Sequence, residues 1–192
     1  MKKTLILLLG ITLLYSLSTS CESGKAKVCR IHGVMEDNSR DGSKIFLVPL
    51  IKPTNDNVDS VEIRNGRFEF TTDKLMMAII RVELKHRYGI QDLLIETEPG
   101  DLNVKIGLQS SSNGTPHNDL LQEWKTRTEE FHKERQQAGN SINFLMRSGD
   151  SILADKVKRQ ADSLAIVYRN YTNELKKTVG EGPLYDFFVD RQ

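Results

Sequence analysis

Thiols are scarce in this chain of 192 residues, whose two cysteines are Cys21 and Cys29. They form no CxxC pair, so dithiol redox chemistry within the chain is excluded. Charge of one sign is also lacking. The 27 basic and 26 acidic residues leave a net charge of +1, without the basic footprint of a nucleic-acid binder. The histidines are His32, His86, His117 and His132. No two have the i, i+4 spacing of a helical metal pair, and the cysteines are too few for a zinc knuckle. GxSxG, P-loop and dinucleotide glycine patterns are absent as well. The sequence therefore assigns no catalytic residue, no metal and no cofactor, and the chain reads as a non-enzyme. No apolar run reaches the roughly 20 residues that cross a hydrocarbon core.

What is present begins at the N-terminus. Lys2 and Lys3 precede an apolar run from Leu5 to Leu17, followed by Ser18-Thr19-Ser20 and then Cys21. A short positive region, an apolar stretch of about 7–15 residues and small residues at a cleavage site describe an export leader. The last step resembles a lipobox, in which a small residue directly precedes the cysteine that receives diacylglycerol. One position departs from that pattern. Ser18 stands where Leu, Val or Ile is usual, with Leu17 one place earlier. The expectation is a signal peptide over residues 1–20, lipidation at Cys21 and attachment in the cell envelope at the outer membrane, on its periplasmic or surface face. The alternative is ordinary cleavage near Ser20 and a soluble periplasmic protein. If Cys21 is acylated, Cys29 is the one remaining thiol, so no intrachain disulfide forms, and Cys29 becomes the candidate reactive thiol.

Residues 25–108 carry short strands and turns. Val28–Val34, Lys44–Leu50, Met77–Leu84 and Ile90–Glu96 read as strands, and Leu102–Ile106 alternates as a half-buried one. Asn65-Gly66 between Val61–Arg64 and Arg67–Phe70 predicts a hairpin on a two-residue type I′ turn. Ile63 would then lie opposite Phe68 and Val61 opposite Phe70, all four on one face. Glu98-Pro99-Gly100-Asp101 reads as a type II turn. About seven such strands predict an antiparallel β-sandwich over residues 21–112, and Gln109–Gly114 reads as a polar linker.

Over residues 113–192 the period changes. Leu121, Trp124, Thr128, Phe131, Arg135, Ala138, Ile142 and Leu145 are spaced three and four apart. So are Leu153, Val157, Ala161, Leu164, Tyr168, Tyr171 and Leu175. Each set makes one apolar stripe, and Ser148-Gly149-Asp150 separates them. The expected fold is α+β, a sandwich followed by an antiparallel helical hairpin, with the apolar tail Leu184–Val189 docking back on the body.

Four passages of the strand half match a known pattern. They are Ile31-His32-Gly33, the run from Asp59-Ser60-Val61 through Asn65-Gly66-Arg67-Phe68-Glu69-Phe70, the turn Ile95-Glu96-Thr97-Glu98-Pro99-Gly100-Asp101, and the step into a helix Gly114-Thr115-Pro116-His117-Asn118. Together they resemble family 4369 of domains of unknown function, found in bacterial envelope lipoproteins, often upstream of a thioredoxin-like, AhpC/TSA-type oxidoreductase domain. Here the sequence stops at Gln192 without a CxxC, so the resemblance does not bring the oxidoreductase activity with it. It implies an accessory or binding module, held at the membrane by its N-terminal lipid. A thioredoxin-like protein in the envelope is the candidate partner, and self-association through the hairpin is the alternative.

The remaining candidates have ordinary explanations. Cys29 and His32 lie three apart, on opposite faces of a regular strand. His132 stands among Glu129, Glu130, Lys133 and Glu134, as on a solvated helix face. Glu96, Glu98 and Asp101 could serve as acid and base or as calcium ligands, though exposed acids beside a turn are common. Asp59-Ser60-Val61, Asp150-Ser151-Ile152 and Asp162-Ser163-Leu164 make Ser60, Ser151 and Ser163 candidate O-glycosylation sites.

Overall fold

The computed structural model describes residues 28–190. The leader, Cys21 and the segment to Lys27 lie outside them. Two four-stranded sheets face each other, followed by helices. In chain order the strands are β1 (Cys29–Met35), β2 (Lys44–Pro49), β3 (Asp59–Glu62), β4 (Arg67–Thr72), β5 (Met77–Val82), β6 (Leu93–Glu96), β7 (Gly100–Ile106) and β8 (Ser111–Asn113). One sheet has the order β4-β1-β7-β8, the other β3-β2-β5-β6. The expected polar linker therefore contains β8, and the helical part begins a few residues later than expected. The sheets are antiparallel except that β1 and β7 pair in parallel. That pairing follows from the crossover after β6, which delivers β7 to the other sheet beside the start of β1.

Alternation builds the interior. Cys29, Ile31, Gly33 and Met35 point inward from β1, with Leu102, Val104 and Ile106 beside them on β7. Ile45, Leu47, Ile80, Val82, Leu93 and Ile95 face them from the second sheet. Each fully buried aliphatic side chain contributes about 1.5–3 kcal/mol. Gly33 lies opposite Phe68, and a Cβ at Gly33 would sit 2.1 Å from the Phe68 ring. The glycine of the Ile-x-Gly passage is thus a seat for that ring.

The Asn-Gly turn forms, with φ of +53° at Asn65 and +66° at Gly66, but the expected hairpin does not continue beyond it. Only Arg64 and Arg67 bridge. β3 pairs with β2, and β4 pairs with β1. The two arms part because each has a better ladder to join, and because Asp41 clamps the turn by accepting the N–H groups of Asn65 (3.0 Å) and Gly66 (2.8 Å). Ile63, Phe68 and Phe70 still reach the same interior, from opposite sheets. Gly100 has a φ of +142° instead of the roughly +80° of a type II turn, since it already opens β7.

Three helices complete the chain: α1 (Pro116–Arg147), α2 (Ser151–Val179) and α3 (Pro183–Val189). None of them is long and apolar enough to cross a membrane. α1 and α2 form the expected hairpin, and Asp150 caps α2 by accepting the Leu153 N–H. The buried stripe of α2 starts at Ala154, while Leu153 is exposed. The two interruptions in the α1 stripe are used. Thr128 shares a 2.6 Å hydrogen bond with the Tyr168 hydroxyl, and the Arg135 guanidinium lies over the Phe131 ring, 5.6 Å from its centroid. The tail docks as α3, with Leu184, Phe187 and Phe188 buried. Together with Met77, Leu121, Leu175 and Val179 they form a second core between the helices and the outer face of β5 and β6.

Strand register defines two poles. Cys29 lies opposite Thr72 and Gly100, Pro49 opposite Ala78, and Met77 opposite Glu96. At this first pole the described chain begins and α1 is rooted. From there α1 runs along the sandwich. Gln122 accepts the Ser112 N–H, Lys125 donates to the Ser110 carbonyl oxygen, and Glu129 accepts from Gln91 at the opposite pole. The 32 residues of α1 span about 48 Å at roughly 1.5 Å per residue. More than half of that length extends past Glu129 and its contact with Gln91.

Candidate functional site

A buried polar cluster sits where α1 leaves the sandwich. Glu96 ends β6 on the outer face of its sheet, with its carboxylate buried. A buried carboxyl group needs polar partners. Here Leu184 of α3 donates its N–H to Glu96 Oε1 at 3.0 Å, and His117 of α1 pairs through Nδ1 with Glu96 Oε2. Glu98, two residues on, accepts the N–H groups of His117 (2.6 Å) and Asn118 (3.2 Å) with Oε1. It thereby caps α1 from a distant part of the sequence, with a negative charge at the positive helix end.

Asn118 completes the cluster and is wholly buried. Its Oδ1 accepts the Glu96 N–H at 2.9 Å, and its Nδ2 donates to the Glu96 carbonyl at 2.7 Å and to Thr115 Oγ1 at 2.8 Å. Asn118 therefore continues the edge of β6 like another strand. Gly114, at φ +113°, lets the chain turn into α1 here, and a Cβ on it would lie 2.7 Å from the Asp101 carbonyl oxygen.

Glu96, Glu98 and His117 each offer one ligand atom, all within 4.8 Å of one another, so one cation could bridge them. Glu96 Oε1 accepts the Leu184 N–H, Glu96 Oε2 pairs with His117 Nδ1, and Glu98 Oε1 accepts the first N–H groups of α1. In the structure as it stands, the cluster joins β6, α1 and α3.

The residues singled out in the sequence scatter. Asp101 parts from Glu96 and Glu98. It lies on the outer face of the other sheet, where Arg30 Nε donates to it at 2.8 Å and His32 stands 3.4 Å away. Arg30 first, then His32, hold its carboxyl below the usual range. Cys29 points into the interior, 1% exposed, and His32 points out. Burial foremost, then the charges of Glu98 and Asp101, push the Cys29 thiol up to about 11. A reactive thiol is exposed and has a depressed pKa, so Cys29 has the opposite of both requirements and serves packing. Ser60, Ser151 and Ser163 are all exposed. His86 approaches Glu83 at 3.4 Å, and His132 is exposed on α1. Sequence reasoning missed the pairing of Glu96 with His117, which lie 21 residues apart with no periodic relation. The one available signal was that both fall within the matched passages around Glu98-Pro99-Gly100 and Gly114-Thr115.

A family model described as Domain of unknown function (DUF4369) matches residues 29–121. No curated protein and no solved structure matches the chain. The matched span runs from the first residue of β1 through the Glu96–His117–Asn118 joint to Leu121, the first apolar residue that α1 buries. Over residues 29–121, sandwich and helix root together, the chain is similar to the DUF4369 family of domains of unknown function.

Proposed function

We propose that the protein is a lipid-anchored envelope module that binds a partner through its helical hairpin and performs no chemistry of its own. The observation that carries this reading is the far end of the hairpin. Phe144 is 72% exposed and Ile152 83% exposed, with Met146 and Leu153 beside them. Exposed apolar side chains gathered on a projecting element mark an interaction surface. The anchor half of the reading is supported by the leader pattern and by Cys21, which stands just ahead of the domain.

The test is in situ photocrosslinking in native envelope, with the crosslinker at Asn143 and a Phe144→Ser, Ile152→Ser variant for comparison. A discrete adduct that disappears in the variant is expected. An adduct pattern indifferent to the variant, or shared with an unrelated lipid-anchored control, would contradict the proposal. A second reading makes a thioredoxin-like oxidoreductase the partner, in keeping with the domain order that the family resemblance implies. Burial of Cys29 favours assigning any thiol chemistry in that pair to the partner.

A further inference from the structure

The first pole carries an apolar groove at the edge of the second core. Between the end of β2 and the start of β5, the segments around Leu50–Lys52 and Lys74–Met76 flank an opening of about 590 Å³, with Met77 and Phe187 among its lining. Ile51 on one side is 68% exposed and Leu75 on the other is 54% exposed. Each stands beside a lysine, Lys52 and Lys74, whose long stem can lie on apolar material while its ammonium stays in water. Asp186 and Asp190 line the helical wall of the same groove, so net positive charge is not what the groove offers.

The covalent chain says which surface this pole meets. Gly100 donates its N–H to the Val28 carbonyl at 3.0 Å, which holds Val28 at the first pole. Thr72, opposite Cys29, is two residues from Lys74, so the groove opens beside the point where the described chain begins. Cys21 is seven residues before Val28, and a chain of that length reaches at most about 25 Å. Acyl groups on Cys21 would keep this pole within that distance of the bilayer, whereas the hairpin tip stands at the far end of a helix about 48 Å long.

We infer that the rim formed by Ile51 and Leu75 docks into the interface of the bilayer that holds Cys21, setting the molecule with its hairpin directed away from the membrane. The inference rests on the anchored reading given above. Because Asp186 and Asp190 share the groove with Lys74, insertion is apolar, and neutral phosphatidylcholine bilayers serve as well as anionic ones.

The experiment uses the lipidated full-length protein in phosphatidylcholine liposomes. Single variants Ile51→Cys, Leu75→Cys and, at the tip, Phe144→Cys carry an environment-sensitive nitrobenzoxadiazole label, and some liposomes contain lipids brominated near the headgroup. Flotation of the same samples reports anchorage separately. The expected result is co-flotation of all three, with blue-shifted emission and loss of fluorescence to brominated lipid at positions 51 and 75 and neither change at 144. Co-flotation with unquenched labels at 51 and 75 overturns the docking and leaves the anchor standing. A blue shift that lipid does not quench means a protein occupant and also overturns it. Quenching at 144 means the hairpin lies on the bilayer, which contradicts the orientation. Failure to float refutes the anchor and the docking with it.

Discussion

Cys29 occupies the innermost row of β1 beside Ile31, and its chemistry follows from that place. An unfolded cysteine ionises at about 8.5, whereas here the thiol is pushed up to about 11. A group whose acid form is favoured by folding adds no stability while both states are protonated. Above the unfolded value the unfolded chain releases its proton first, so stability falls as pH rises from there towards the folded value. Two outcomes are expected. Iodoacetamide at about pH 8 leaves Cys29 of the native chain unlabelled while labelling it completely in urea, and the urea midpoint drops on the alkaline side but not in a Cys29→Ala variant. Native labelling at the unfolded rate would restore the reactive-thiol reading. At this scale the sequence was readable where one residue's neighbours in sequence determine its face. The three-residue spacing of Cys29 and His32 is enough to separate them. It was unreadable where two residues meet through the fold, as Glu96 and His117 do.

Among the elements, α1 depends on a joint made largely by other parts of the chain. Its cap is Glu98, and Asn118 in its first turn satisfies both main-chain groups of Glu96. Asn118→Ala leaves a buried N–H and a buried carbonyl without partners, at about 1–3 kcal/mol for each group. The variant is expected to lose about that much in urea unfolding and to speed amide exchange across β6 and the first turns of α1. An unchanged midpoint would mean that water enters and replaces the amide, so that the joint is not what holds the helix. The strands and helices themselves were legible because two-residue and three-to-four-residue periods survive in β7, α1 and α2. Their partners were less so. The arms of the Asn65-Gly66 turn carry a good local signal, yet β2, Asp41 and β1 draw them into separate sheets. The parallel pairing of β1 with β7 joins residues some seventy positions apart, beyond the reach of any local pattern.

Taken whole, the molecule has a direction. The first pole gathers the start of the described chain, the Glu96–His117 joint and the Ile51–Leu75 groove, while α1 and α2 carry Phe144 and Ile152 to the far end. The second core, with Trp124 packed edge-on against Phe187 and Phe188 at 5.4 and 5.6 Å, fixes the hairpin to the sandwich so that the two ends keep their separation. Such an arrangement suits a module held at one end and read at the other, which makes attachment at Cys21 the claim on which the functional account depends. Radiolabelled palmitate incorporation, with fractionation of the same cells, tests it most directly. The account expects the full chain to be labelled and to sediment with membranes, and a Cys21→Ser variant to lose both the label and the membrane association. Equal labelling of the two chains, or an unlabelled full chain in the soluble fraction, would contradict it.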